Sequence, residues 1–360
     1  MKLKKLLAIL IAALLLFSFG CTEKAKETAP APAETAQAET APAEPEKTEE
    51  PAPAEPEKTE EPAPAEPEKT EEAAPAEAYL TVTDMAGREV TFEKPVEKAV
   101  ALTASDCEII FALGAEEALV GRGEYCDYPA EVFDIPSLTS GANTNIEQIL
   151  ALEPEVVFLS MMAQTQEQVD QLEKAGVRVV VSDAQDIEGT YTAINLIGQV
   201  MGKQTEADQI IDSMKAVFDE IKENPIPGEK TIYFEVQPLQ WGLWTAGTGT
   251  FMNEVAEMMG LKNCFGDVAG WAAISEEQVL ERNPDYIMTI TMYFGEGPTP
   301  EEEIMARPGW ENVTAVKDQN ILNLPNNELS RPAPRLAEGA QLLYDFVVES
   351  EAAVALAPAA

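Results

Sequence analysis

The chain has 360 residues, room for two domains of ordinary size, with a formal net charge of −40 and no histidine. Acid at that density repels nucleic-acid phosphates and anionic lipid headgroups, which argues against nucleic-acid binding. The missing histidine excludes His-based triads, His zinc sites and His haem ligation.

Residues 1–20 read as an export signal, with Lys2, Lys4 and Lys5 before an apolar run over 6–19 that is short for a membrane span. Ser18-Phe19-Gly20-Cys21 resembles a bacterial lipoprotein signal, with Cys21 the lipid-modified first residue of the mature chain. It departs from the commonest pattern at Ser18, where leucine is usual, and a plain secretory signal with a chance cysteine is the alternative. Two or more acyl chains give stable anchoring where one does not. Residues 21–78 are low in complexity. The unit APAEPEKTEEP begins at Ala41, Ala52 and Ala63, and residues 22–78 carry a net −12. Such a segment has too little to bury to offset its ordering entropy, and proline and like charge extend it. The expectation is a disordered tether.

The body, 79–360, carries a net −31. Its N-terminal lobe is expected over 79–204. Residues 80–90 alternate across Ala86-Gly87, which predicts a β-hairpin. Strands are expected at 98–102, 119–121, 156–159 (VVFL) and 177–181 (VRVVV), with helices over 107–113, 146–152, 166–175 and 191–201. Wholly apolar strands alternating with helices argue a parallel sheet covered on both faces.

Residues 205–224 then form one amphipathic helix. Ala207, Ile210, Ile211, Met214, Val217, Phe218 and Ile221 share a face, Thr205 and Asp208 suggest a capping box, and Pro225 ends it. Beyond it the pattern recurs over 225–350: strands at 231–236, 286–290 and 321–324, and helices over 250–259, 276–282 and 335–347. Residues 351–360 are left as a tail. The fold class is therefore α/β, two α/β lobes with a single long helix between them as the element that joins them. Of the cysteines other than Cys21, Cys107 and Cys126 can be read either as a bridge or, like Cys264, as free buried thiols.

Four stretches carry a resemblance: EYCDYP (124–129), NIEQILALEPEVVFLS (145–160), GWAAISEEQVLERNPDYIM (270–288) and NNELSRPAPR (326–335). Together they resemble the substrate-binding proteins of ABC importers for iron chelates and vitamin B12, over roughly 79–350. The resemblance implies a monomer with a rigid connecting helix, a ligand held between the lobes with little lobe movement, and no catalytic activity. It implies a permease dimer and cytoplasmic ATPase as partners, and a location on the outer face of the cytoplasmic membrane through the lipid anchor. In that family one glutamate on each lobe docks into arginine pockets of the permease, and the matching positions are Glu147 and Glu277. Either is also read as a charge favoured at a helix N-terminus.

Candidate ligand contacts are Tyr125, Trp241, Trp244, Trp271, Tyr293 and Arg331, all on loops after strands or beside them. Large rings suit a bulky chelate or macrocycle, and Arg331 suits an anionic group on it. Each ring is also read as core packing. In the B12 binders Tyr125 and Trp271 match cleft aromatics, whereas Gly141 and Ser160–Met161 stand where those binders carry further tryptophans. The leading expectation is an iron-siderophore-type chelate, which fills its own coordination sphere and needs no metal ligand or cofactor from the protein. A corrinoid is the alternative, and haem, with tyrosine or methionine as axial ligand, comes after it. From other classes, a tethered adhesive protein fits the tether alone. For an enzyme, no nucleophile elbow, Walker loop or dinucleotide fingerprint is present, and the glycine-rich AGTGT (246–250) reads as a strand-to-helix loop.

Overall fold

The computed structural model describes residues 78–293, 295–324 and 327–356, the last three as helix path alone. The export signal, Cys21 and all but the last residue of the tether lie outside the described residues, as does the end of the 351–360 tail. Among the described residues no helix is long and apolar enough to cross a membrane.

The body opens with the antiparallel hairpin β1 (Leu80–Thr83) and β2 (Glu89–Phe92), in register Val82↔Val90. The Asp84 carboxylate fixes its turn by accepting from the Ala86 and Arg88 amides, and ties it to the next sheet by accepting from the Val181 amide at 3.2 Å. Five strands follow: β3 (Ala99–Ala101), β4 (Leu119–Gly123), β5 (Ser137–Leu138), β6 (Val156–Leu159) and β7 (Arg178–Val181). They form one parallel sheet in the order β5-β4-β3-β6-β7. The helices between them are α1 (Ala104–Ala112), α2 (Ile146–Leu150) and α3 (Gln166–Lys174), and α4 (Ile187–Val200) follows. Side chains alternate across this sheet. Val100, Val157, Leu159, Val179 and Val181 meet α2 and α3, whereas Ala99, Ala101, Val156, Phe158 and Val180 meet α1 and α4.

The long helix is α5 (Gln204–Glu223), 20 residues and so about 30 Å. The expected apolar face is the buried one: Ala207, Ile211, Met214, Phe218 and Ile221 are buried, with Ile210 and Val217 against them. The expected capping box is not formed. The Lys203 amide closes the preceding turn on Gly198 O at 2.7 Å, so helix begins at once at Gln204 and Thr205 already lies in its first turn. Lys203 stands at the cap with no side-chain hydrogen bond.

Beyond α5 come β8 (Thr231–Glu235), β9 (Trp244–Ala246), α6 (Phe251–Met258), β10 (Lys262–Asn263), β11 (Trp271–Ala273), α7 (Glu276–Arg282), β12 (Tyr286–Thr289), α8 (Pro300–Met305), α9 (Thr314–Lys317), β13 (Ile321–Asn323) and α10 (Leu336–Leu356). The second parallel sheet runs β10-β8-β12-β13, and β9 pairs with β11 in a small antiparallel sheet that the sequence reading lacks. The last helix continues past the expected 347, and Glu351 on its extension accepts from the Tyr286 hydroxyl at 2.5 Å and pairs with Lys230 at 3.1 Å. One apolar cluster runs unbroken from Phe158 and Ile194 through Ile211 and Phe218 of α5 to Ile232, Phe234 and Leu343, so the two lobes share a core around the connecting helix.

Candidate functional site

In an open parallel sheet the loops at the carboxyl ends diverge where the strand order reverses, and the gap there takes ligands. In the first sheet the chain moves outward one way from β3 to β4 and β5, and the other way to β6 and β7. The gap therefore opens beside the loops after β3 and β6. In the second sheet β8 leads to β10 and β12 to β13, so the gap opens beside the loops after β8 and β12. The two sets of carboxyl-end loops meet: the Phe251 amide donates to Gln185 O at 2.9 Å, and Arg331 donates to Tyr125 O at 3.3 Å.

The rings fall into two groups. Tyr125, in the loop after β4, is 71 % exposed, and Trp241, in the loop after β8, is 72 % exposed. Trp244 and Tyr293 are also exposed, and Met162 and Met292 stand open on the loops after β6 and β12. The Trp241 loop is held by the Gln237 side-chain amide, which donates to Trp241 O at 2.7 Å and Gly242 O at 2.9 Å. Gly242, at φ 86°, supplies the left-handed turn that brings the chain back into β9. Trp271 is instead part of the seam between lobes. Its indole N–H donates to Gln185 Oε1 at 3.2 Å and its ring packs against Phe251 at a centroid distance of 5.4 Å.

Arg331 also lies in that seam. It donates to Glu108 on α1 at 2.9 Å and to Asp127 at 2.5 Å. Arg335 donates to both oxygens of Glu108, at 3.0 and 2.8 Å, and stacks on Tyr128 with its guanidinium carbon 3.6 Å from the ring centre. Glu108 is thus one buried anion shared by two arginines from the opposite lobe, with side-chain exposures of 3 %, 14 % and 10 %. The sequence reading named Arg331 and missed both partners. For Glu108 the signal present was a glutamate among apolar residues in SDCEIIFALG, which no helical polar face explains; Asp127 lies in EYCDYP, beside Tyr125.

The first lobe's floor is made of carboxylates and hydroxyls. Asp106 accepts from Thr103 Oγ1, and from Ser182 Oγ at 2.5 Å. Asp183 accepts from Ser160 Oγ, and from the Met161 amide at 3.0 Å. Burial raises the Asp106 carboxyl from 3.8 to about 7; the Ser182 and Thr103 hydroxyls oppose this and Asp183 adds to it. Beneath lie Cys107 and Cys126, both free thiols and buried, with sulfurs 2.9 Å apart; that contact and then burial push the Cys107 thiol well above its ordinary value. In the second lobe Glu235, at the end of β8, is held by Arg307 through two hydrogen bonds of 2.7 and 2.8 Å, both side chains almost fully buried. Among the described residues no group of three or more acidic or thiol side chains is placed to hold a metal ion.

Glu147 and Glu277 occupy equivalent positions, the second residue of α2 and of α7. Each helix is capped alike. Asn145 accepts from the Gln148 amide and Ser275 from the Gln278 amide. Glu147 and Glu277 are exposed, and the first-turn hydrogen bonds at the α7 N-terminus lower the Glu277 carboxyl. Neighbouring Glu276 is engaged, accepting from the Trp310 indole at 3.0 Å.

Residues 100–328 match the model of a family described as periplasmic binding protein. The uncharacterized ABC transporter substrate-binding lipoprotein YvrC of Bacillus subtilis (strain 168) is 31 % identical over 275 residues, 74 % of this chain and 85 % of its own. A vitamin B12-binding protein of Pectobacterium carotovorum subsp. carotovorum (strain PC1) is 23 % identical over 251 residues, 68 % of this chain and 86 % of its own. A solved structure of a possible iron-binding (periplasmic solute-binding) protein from Staphylococcus epidermidis ATCC 12228 superposes with a TM-score of 0.59 at 30 % identity, covering 71 % of this chain and 99 % of the other. Two parallel-sheet lobes on one connecting helix, facing each other by their carboxyl ends, are thus shared with known proteins over nearly their whole length, and the chain belongs to the periplasmic binding protein family.

Proposed function

We propose that this chain is the substrate-binding component of an ABC importer, and that it captures an iron-siderophore-type chelate between its lobes. The observation that carries this is that two strand-order reversals face each other, and we read Tyr125, Trp241, Trp244 and Tyr293, exposed on or beside the carboxyl-end loops, as the rim. Tyr125 and Trp241, 71 % and 72 % exposed, contribute little to packing. They offer broad contact to a bulky ligand at small entropy loss. The similarity to YvrC supports the importer reading, and that to the S. epidermidis protein described as a possible iron-binding protein supports the chelate. A corrinoid is the second reading, favoured by the similarity to the P. carotovorum vitamin B12-binding protein.

Trp271 and Arg331 serve ligand capture indirectly, by setting how the two walls face each other. Glu147 and Glu277 dock on the two permease subunits: one anion per lobe, equally presented, matches paired cations on a two-fold partner and fixes register. Cys21 carries the lipid anchor, 21–78 is the tether, and the body acts on the outer face of the cytoplasmic membrane without catalysing a reaction. Titration of the purified chain with ferric siderophores, cobalamin and haem, followed by tryptophan fluorescence, tests the reading. Saturable binding at micromolar or lower concentration to one class supports it and selects the ligand. No binding to any class refutes the chelate and corrinoid readings.

A further inference from the structure

We propose that the cleft is selective for charge: it accepts a chelate or macrocycle that is neutral or cationic and presents hydrogen-bond donors, and rejects one bearing carboxylates or other net negative charge. This rests on the importer reading above and narrows its ligand class. The lysines of the body, from Lys94 to Lys317, lie at strand amino ends, on α3, α5 and α9, in the turn before α5, and on β10. None lies on a carboxyl-end loop beside the two openings. Arg88, Arg178 and Arg282 are equally remote, in the hairpin turn, at the start of β7 and at the end of α7.

Four arginines come near the cleft, and each already has partners within the protein. Arg331 is held by Glu108 and Asp127, and Arg335 by Glu108 with Glu328 at 3.4 Å. Arg307 is held by Glu235 and Glu303. Arg122, only 7 % exposed, donates to the carbonyls of Gly123 and Cys126 at 3.2 and 3.0 Å and leaves its Nε without a hydrogen-bond partner among the described residues, buried out of a ligand's reach. The carboxylates are not matched in this way. Among the described residues Asp183 is met only by Ser160 and the Met161 amide, and Glu124, exposed beside Tyr125, only by the Ser140 amide at 3.2 Å. An anionic ligand would meet like charge from Asp183 and Glu124, with no exposed, unpaired cation among the described residues of the carboxyl-end loops to offset it. A donor-rich, uncharged or cationic ligand meets these carboxylates as acceptors.

The test uses charge series on fixed scaffolds with the full chain in mild detergent. On a ferric trihydroxamate these are ferrioxamine B (cationic), its N-acetyl form (neutral) and its N-succinyl form (anionic). On a corrinoid they are cyanocobalamin and its monocarboxylate. For whichever scaffold binds, the dissociation constant is expected to rise on the order of tenfold from the neutral to the anionic member, and this ratio is expected to shrink as salt is raised. Asp183→Asn and, at an exposed position that folding tolerates, Glu124→Lys are each expected to narrow the ratio several-fold, with unchanged circular dichroism. An anionic member that binds as tightly as the neutral one overturns charge selection while leaving the importer reading intact. Failure of both scaffolds at every charge overturns the importer ligand reading itself, and the selection with it.

Discussion

Replacing Glu108 by Gln keeps the side-chain volume and removes the one anion that Arg331 and Arg335 share across the lobes. Breaking a buried ion pair from one side commonly destabilises by about 3–5 kcal/mol, because a charge is left without its partner. Here each arginine keeps a second acid, Asp127 at 2.5 Å and Glu328 at 3.4 Å, which places the loss near the low end, about 3 kcal/mol. For a body of this size, with an unfolding entropy of about 2.1 cal/mol/K per residue, that corresponds to a fall in Tm of roughly 5 °C. Differential scanning calorimetry at pH 7 reads it directly. A double-mutant cycle with Arg335→Met should give a coupling of about 1–3 kcal/mol, since the two side chains touch. The pair is mostly buried, so most of the effect should survive 0.5 M salt. A fall in Tm below about 1 °C, or strict additivity in the cycle, would refute the claim that this cluster joins the lobes.

Asp106→Asn should stabilise the protein above neutrality and far less in acid. The native carboxyl holds its proton up to about pH 7 while the unfolded chain loses it near 3.8, so native stability falls as pH rises between the two values. The full difference is at most roughly 4 kcal/mol. A gain in Tm at pH 8 that falls to about a quarter by pH 4.5 is the expected result, and an equal gain at both would contradict this origin. Arg307→Met should destabilise by about 3–5 kcal/mol, because Glu235 stays buried without its cation. Burial already raises the Glu235 carboxyl, so the loss measured by chemical denaturation should be larger at pH 8 than at pH 5. Glu147→Ala and Glu277→Ala should each abolish uptake in vesicles holding the permease and leave ligand affinity unchanged. Both sites are exposed first-turn positions, so unchanged uptake in the double variant would exclude them as docking groups. Ligand-induced fluorescence change should survive Trp271→Phe and disappear in the Trp241→Phe, Trp244→Phe double variant, because only the latter two indoles are exposed.

The strands and long helices were legible because burial on both faces demands uninterrupted apolar runs, as in VVFL, and because one-sided burial of a 20-residue helix demands a strict period. The two-lobe arrangement followed from the alternation of such segments on either side of α5. Short strands escaped. Trp244–Ala246 and Trp271–Ala273 hold only three residues each, and their pairing is a long-range fact that no local pattern states. Side-chain roles across the seam escaped for the same reason. Tyr125 and Trp241 are exposed as a ligand contact requires, whereas Trp271 and Arg331 spend their polar groups on Gln185, Glu108 and Asp127. A sequence shows that an arginine is present on a loop. It does not show that a glutamate more than 200 positions earlier has already claimed it.

The apolar cluster that passes from one sheet through α5 into the other has a mechanical meaning. Parting the lobes would shear hydrocarbon that water would then have to wet, and would unmake the Glu108 cluster at the same time. The body therefore behaves as a single block with a slot cut into it, without a soft axle on which two jaws could swing. On the proposed function, entry and escape of a guest would then be set by its rim, by the swing of Tyr125, Trp241 and Tyr293 about their own bonds. Such rotations are fast, on the order of nanoseconds for open side chains, so the lifetime of the filled slot is governed by the grip of its walls.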